Sequence, residues 1–184
     1  MELSAELIKF RNRKEWLSAR KTGIGGSDAA NIVGVGYGSA LETYAEKLGA
    51  DPTEENEAML WGRKLEPLVA QAYSQETKRK VEKFGHHFFR STKRSFAFAS
   101  LDRLIVEPKA VLEIKTSNYL KEADLEQEIP IHYQVQMQHS LGVMGLEMGS
   151  FAILLNARRL FWVDVQADQD FIELLFEKEA AFWQ

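Results

Sequence analysis

The sequence predicts an α/β protein in which helices flank a central mixed β-sheet. Three observations lead there. Residues 11–77 show helical spacing punctuated by glycine, residues 80–115 hold five short aromatic or β-branched runs, and a helix, a hairpin and a closing helix follow. The 184 residues suit a single domain spanning 1–184 around one mixed sheet, and 45% hydrophobic with 27% charged residues is an ordinary globular composition.

In chain order, residues 11–21 read as a helix anchored by Trp16 and Leu17. Residues 22–26 break it, because three glycines in four positions favour a turn. Ser27 and Asp28 are good N-cap residues for a short helix over 29–33 that ends at Gly34. Residues 35–39 form a second glycine-rich loop, and 41–48 a further helix closed by Gly49. A long helical stretch runs from about residue 54 to 77, with Met59, Leu60, Leu65, Leu68, Val69, Ala72 and Tyr73 as its apolar stripe. Pro67 has no N–H to donate, so a kink or a fresh helix start is expected near Gly62. Strands are expected over 81–84, 87–90, 96–99, 101–106 and 111–115. Residues 121–128 are polar and expected to be exposed. Pro130 precedes a helix over 132–144 that stops at Gly145. Residues 150–155 and 160–165 pair as a hairpin, and Asp168 opens a last helix over 171–183.

Composition excludes several classes. No apolar run approaches the roughly 18 residues of a membrane helix, and no signal-peptide segment begins the chain. The absence of cysteine excludes disulfides, iron–sulfur clusters, thiolate zinc sites and a cysteine nucleophile, and fits a cytoplasmic protein. The net charge of −4 argues against indiscriminate coating of nucleic acid. Basic residues gather instead at Lys9, Arg11, Arg13, Lys14, Arg20 and Lys21, and again over 78–94, so one face could meet a polyanion. Solvated charge on an exposed face fits either segment alone equally well.

The chemistry concentrates at Asp102 and at Glu113-Ile114-Lys115. Successive strand side chains alternate faces, so Glu113 and Lys115 share one while Ile114 points away. If the two runs pair, Asp102 sits beside Glu113, and two carboxylates and an ammonium meet in a set suited to a hard divalent cation and a phosphate. Alone, Glu-x-Lys on a strand is more often an exposed cross-strand ion pair. Three features favour the first reading. Glu66 falls among the apolar positions of the long helix, where an unpaired carboxylate is costly, although a surface glutamate also fits. Arg20 precedes Ser27 across a glycine turn that opens a helix, an arrangement like a phosphate pocket, although an ordinary serine cap also fits. Gln134, Gln136 and Gln138 lie on an otherwise apolar helix, with Gln136 and Gln138 about 200° apart, so at most one faces a given site. His86, His87, His132 and His139 do not gather into a metal site by spacing.

Arg20-Lys-Thr-Gly-Ile-Gly-Gly-Ser27-Asp-Ala-Ala, Trp61-Gly-x-x-x-Glu66, Asp102 with Glu113-Ile-Lys115, and Gln134-Val-Gln136-Met-Gln138 occur here in order. Together they resemble the YqaJ-type viral recombinases, relatives of bacteriophage lambda exonuclease in the PD-(D/E)XK nuclease superfamily. The resemblance implies a restriction-endonuclease-like core forming a single nuclease domain. It also implies magnesium-dependent 5′→3′ digestion of linear double-stranded DNA in phage-type homologous recombination. By motif match, Asp102, Glu113 and the Ile114 carbonyl would bind metal, with Glu66 as a further candidate. Two Mg²⁺ ions are implied, replaceable by Mn²⁺. Lys115 would activate water, Gln136 would place the lysine or water, and Arg20 with Ser27 would hold a terminal 5′-phosphate. A homotrimeric ring, a single-strand annealing partner and a bacterial host cytoplasm, of phage or prophage origin, belong to the same expectation. Where the family usually has Pro-Asp-Gly, this chain has Leu101-Asp102-Arg103, which adds a positive charge suited to bind DNA or to alter metal affinity. The chain ends at Trp183-Gln184 within a predicted helix, so later elements that aid assembly are expected to be short or missing. A PD-(D/E)XK endonuclease or single-strand nuclease, and a catalytically silent DNA-end binding module, are the alternative readings.

Overall fold

In a computed structural model, which describes residues 3–50 and 56–184, the chain runs through fifteen elements. The first half comprises β1 (Ala5–Lys9), α1 (Arg13–Arg20), α2 (Gly26–Ile32), α3 (Ala40–Lys47) and α4 (Glu57–Thr77). Then follow β2 (Val81–Glu82), β3 (His87–Ser91), β4 (Phe98–Ala99), β5 (Arg103–Ile105) and β6 (Ala110–Ser117). The last part is α5 (Glu122–Gln127), α6 (Ile131–Met144), β7 (Met148–Leu155), β8 (Arg159–Gln166) and α7 (Gln169–Trp183). Among the described residues no helix is long and apolar enough to cross a membrane.

The central sheet has the order β2-β5-β6-β7-β8, with β6 and β7 parallel and every other pair antiparallel. A parallel pair needs a crossover, and α5 and α6 supply it. Side-chain alternation along β6 then assigns the layers. Leu112 and Ile114 pack with Val69, Ala70 and Tyr73 of α4 on one face. Val111 joins Phe151, Ile153, Met137, Leu141, Ile172 and Phe176 on the other, beneath α6 and α7. The mixed sheet flanked by helices is thus the architecture the pattern predicts.

Several local expectations are corrected. The strands near residues 88 and 98 do not join the central sheet; β3 lies between β1 and β4 in a separate three-stranded sheet. Strand β1 has no clean alternation of its own, and its five-residue register against β3 is what holds it. The helix after the glycine turn starts earlier than Ser27, with Gly25 at its cap. The Asp28 carboxylate reaches back to accept the Gly25 N–H at 2.8 Å, which leaves Ser27 inside the first turn. Helix α4 passes through Pro67 without a fresh start at Gly62, held by burial of Val69, Ala70 and Tyr73. Its expected first residues, 54 and 55, lie outside the described residues. The polar stretch after residue 121 is helical because Leu125 buries in the core.

A buried ion pair ties α7 to α6. His139 Nδ1 lies 2.7 Å from Glu179 Oε1 and Nε2 lies 2.9 Å from the Phe98 carbonyl, with both side chains fully enclosed. Facing two acceptors, the ring carries a proton on each nitrogen when Glu179 is ionised. Burial pulls the His139 pKa down, but Glu179 and the Phe98 carbonyl outweigh it and hold it above its ordinary value. A histidine raised in this way stabilises the fold below its unfolded pKa near about 6.5, and the contribution fades as pH climbs through the folded value. His139→Ala strands a buried carboxylate and should cost about 3–5 kcal/mol in urea melts at pH 6. The gap to wild type should narrow at alkaline pH.

Candidate active site

The register of β5 against β6 pairs Arg103 with Leu112, so Asp102, one residue earlier, lies across from Glu113. Strand β5 begins only at Arg103, and the Ile114 N–H is taken by the Asp102 carboxylate at 2.8 Å. Glu113 and Lys115 point toward α6, where Gln136 closes a ring. Lys115 Nζ donates to Glu113 Oε1 at 2.8 Å and to Gln136 Oε1 at 2.9 Å, and Gln136 Nε2 donates to the same Glu113 oxygen at 2.6 Å. The structure therefore brings Asp102, Glu113, Lys115 and Gln136 together. Gln134 and Gln138 are used elsewhere, on the Ile129 carbonyl and on the Gln166 and Asp168 backbone.

Alternation sends Arg103 the opposite way from Asp102. Arg103 is buried on the α4 side, where its guanidinium pairs with Glu66 and also donates to the Asp102 carbonyl. Lys83 reaches the same Glu66 oxygen at 3.4 Å. Glu66 is thus engaged by two cations rather than pointed into the Glu113–Lys115 ring. Among the described residues no three histidine, aspartate or glutamate side chains form a metal-sized cluster.

Burial, and then the charge of Glu113, push the Asp102 carboxyl up to about 8, although Lys115 and the Ile114 N–H oppose this. Burial pulls Lys115 down, but Glu113 and Asp102 more than compensate and hold it above its ordinary value, so it is an ammonium at neutral pH. The Lys115 ammonium also lies 4.9 Å from the centre of the Tyr133 ring.

Arg20 and Ser27 meet as a second group. Arg20 Nη2 donates to Ser27 Oγ at 3.3 Å, and its guanidinium lies 4.9 Å from the Trp16 ring and 5.8 Å from the Phe98 ring. Lys47, which the sequence did not single out, braces the loop through the Arg20 carbonyl at 3.0 Å and Asp28 at 2.6 Å. Gly26 links this group to the first, since a Cβ there would stand 2.8 Å from Gln136 Cγ and 3.1 Å from the Gln136 carbonyl oxygen. Only glycine permits so close an approach. The grouping of Tyr37, Tyr119 and Tyr133 with His132, next to Lys115, also escaped the sequence reading; an aromatic inside the glycine-rich loop at 35–39 was the available signal.

The mixed sheet flanked by helices is a fold shared with solved structures described as exonucleases. The YqaJ-like viral recombinase domain matches residues 15–147, and the chain belongs to that family. It is 37% identical over 179 residues to the uncharacterized protein YqaJ of Bacillus subtilis (strain 168), covering 94% of this chain and 56% of that relative's length. Among solved structures it resembles the alkaline exonuclease LHK-Exo from Laribacter hongkongensis, with TM-score 0.78, 23% identity, and 92% of this chain and 90% of that one covered. The same figures hold for LHK-Exo in complex with dAMP. A phage-related exonuclease from Haemophilus somnus 129PT matches with TM-score 0.71, 15% identity, and coverage of 87% and 91%.

A carboxyl raised from its ordinary value toward 8 destabilises the fold as pH rises from the unfolded carboxylate range to that folded value. In EDTA at pH 9, Asp102→Asn should therefore melt about 3–8 °C above wild type, on the order of 1–3 kcal/mol. Thermal melts at pH 4 should show the difference gone.

Proposed function

We propose that this protein is a magnesium-dependent deoxyribonuclease, an exonuclease that digests linear double-stranded DNA in the 5′→3′ direction during phage-type homologous recombination. The observation that carries this reading is the meeting of Asp102, Glu113, Lys115 and Gln136 across β5, β6 and α6. Membership of a viral recombinase family supports the recombination setting, and the similar folds described as exonucleases, one holding dAMP, support the reaction class. In the same reading its partners are DNA ends, a single-strand annealing protein and two further copies in a ring, in the cytoplasm of a bacterial host.

The donor set fits magnesium. Asp102, Glu113 and the Ile114 carbonyl offer hard oxygens, and Mg²⁺ is commonly held by one or two carboxylates together with water and substrate phosphate. An Asp102 carboxyl raised to about 8 marks a place short of positive charge, which a divalent cation would correct. Manganese suits the same oxygens. Two ions belong to the same reading, with Glu66 as the further candidate ligand, although its carboxylate is here paired with Arg103 and Lys83. Bound magnesium supplies Lewis acidity toward the scissile phosphate and the attacking water.

The chain's own residues do the rest. Lys115 is an ammonium and takes no proton; it orients water and meets the negative charge that develops on the phosphate. Gln136 fixes the lysine by accepting one of its hydrogens while donating to Glu113. Water attacks phosphorus as the bond to the 3′-oxygen breaks, the water's proton passes to solvent while solvent protonates the departing 3′-oxygen, and a mononucleotide leaves. Arg20 and Ser27 bind the 5′-phosphate of the strand being shortened, with the guanidinium backed by Trp16 and Phe98.

Linear duplex DNA labelled at either end, with or without a 5′-phosphate, tests the reading. Mononucleotides released from phosphorylated 5′ ends in magnesium, and none in EDTA, are expected. Cutting of covalently closed circles would indicate an endonuclease, faster loss of single strands a single-strand nuclease, and binding without product a silent end-binding module. Lys115→Ala should retain DNA binding within about threefold while losing at least about a hundredfold in cleavage, the scale of one transition-state donor. Full retained activity would remove Lys115 from the mechanism. Arg20→Ala should slow digestion about tenfold or more on phosphorylated ends only. Equal loss on both end types would count against the phosphate pocket.

A further inference from the structure

Beside the cutting centre lies an aromatic cluster for which the proposed hydrolysis has no use. Tyr37 sits in the loop between α2 and α3, Tyr119 in the loop after β6, and His132 and Tyr133 in the first turn of α6. The Tyr37 hydroxyl is 3.0 Å from the Tyr119 hydroxyl and 3.0 Å from His132 Nε2, and its ring stands edge-on to the imidazole at 4.8 Å. Tyr133 completes the path inward, with the Lys115 ammonium 4.9 Å from its ring centre. Three segments distant in sequence therefore converge on one patch that begins at Lys115.

The two outer rings are left in water. Tyr37 is 81% exposed and Tyr119 is 65% exposed, although each is fixed through its hydroxyl tip. Side chains tethered at the tip keep their faces available, and a single exposed aromatic would carry no such meaning. The patch also favours a flat, uncharged partner over a phosphate. Burial and then Lys115 hold His132 below its ordinary value, so the imidazole adds no positive charge at neutral pH. Apolar ring faces with hydroxyl edges, next to a lysine suited to phosphate, match one nucleotide step of a single strand, with phosphate on the lysine and base on the rings.

We infer that Tyr37 and Tyr119 form a stacking platform for an unpaired nucleobase adjacent to the scissile phosphate. The strand then enters the cutting centre with its end peeled from the duplex. This rests on the nuclease reading for the identity of the polymer. The platform itself is tested by binding, so the two can fail separately.

The experiment measures equilibrium binding of 5′-phosphorylated duplexes by fluorescence anisotropy, in calcium to hold back cleavage. One duplex is intact, and the other has abasic residues at the first two positions of the 5′-terminated strand. Wild type should bind the abasic end about tenfold more weakly, the scale of one to two stacked bases. Tyr37→Ala/Tyr119→Ala should bind both ends alike, with the affinity wild type shows for the abasic one. Tyr37→Phe keeps the ring, loses the hydroxyl, and should retain the discrimination. Equal binding of both ends by wild type, or undiminished discrimination by the double variant, overturns the platform. Digestion in magnesium is scored apart: no digestion with discrimination intact removes the exonuclease reading alone, and digestion without discrimination removes the platform alone.

Discussion

Because β5 begins at Arg103, two residues short of the position that would face it, the Ile114 N–H is satisfied by the carboxylate of Asp102. A backbone donor buried between strands must find an acceptor, and this one draws an acidic side chain against Glu113. The rest of the site follows from that placement. Burial and the charge of Glu113 raise the cost of ionising Asp102, Lys115 supplies a compensating charge, and Gln136 occupies the angle between lysine and glutamate. The strand ladder is thus interrupted where Asp102, Glu113, Lys115 and Gln136 meet.

The layout of charge around this point is set by the alternation of strand side chains. Arg103 and Asp102 are neighbours in sequence but serve opposite faces, so the arginine pairs with Glu66 on α4 rather than with the Glu113–Lys115 group. Its positive charge faces Glu66, a carboxylate whose own charge adds to the upward push on the Asp102 pKa. An arginine adjacent to an acidic site in sequence is here a partner to the acid across the sheet.

What could be read from the chain in advance was whatever depends on local period and spacing. Glu113 and Lys115 share a face because they lie two positions apart, and Gln136 was separable from Gln138 by angle alone. The parts that escaped depend on distant partners. Strand β1 exists through its register with β3, α5 through the burial of Leu125, and the start of α2 through the reach of Asp28 back to Gly25. Likewise the Tyr37–Tyr119 link joins residues 82 positions apart, and nothing in either neighbourhood announces the other.

Gly26 has a consequence that extends past its own turn. With no Cβ between α2 and Gln136, two helix backbones touch, and the distance from the Arg20–Ser27 rim to the lysine is fixed by main chain rather than by flexible side chains. Such a contact acts as a ruler: the spacing between the two groups is written into the packing of two helices by the absence of a single methyl group.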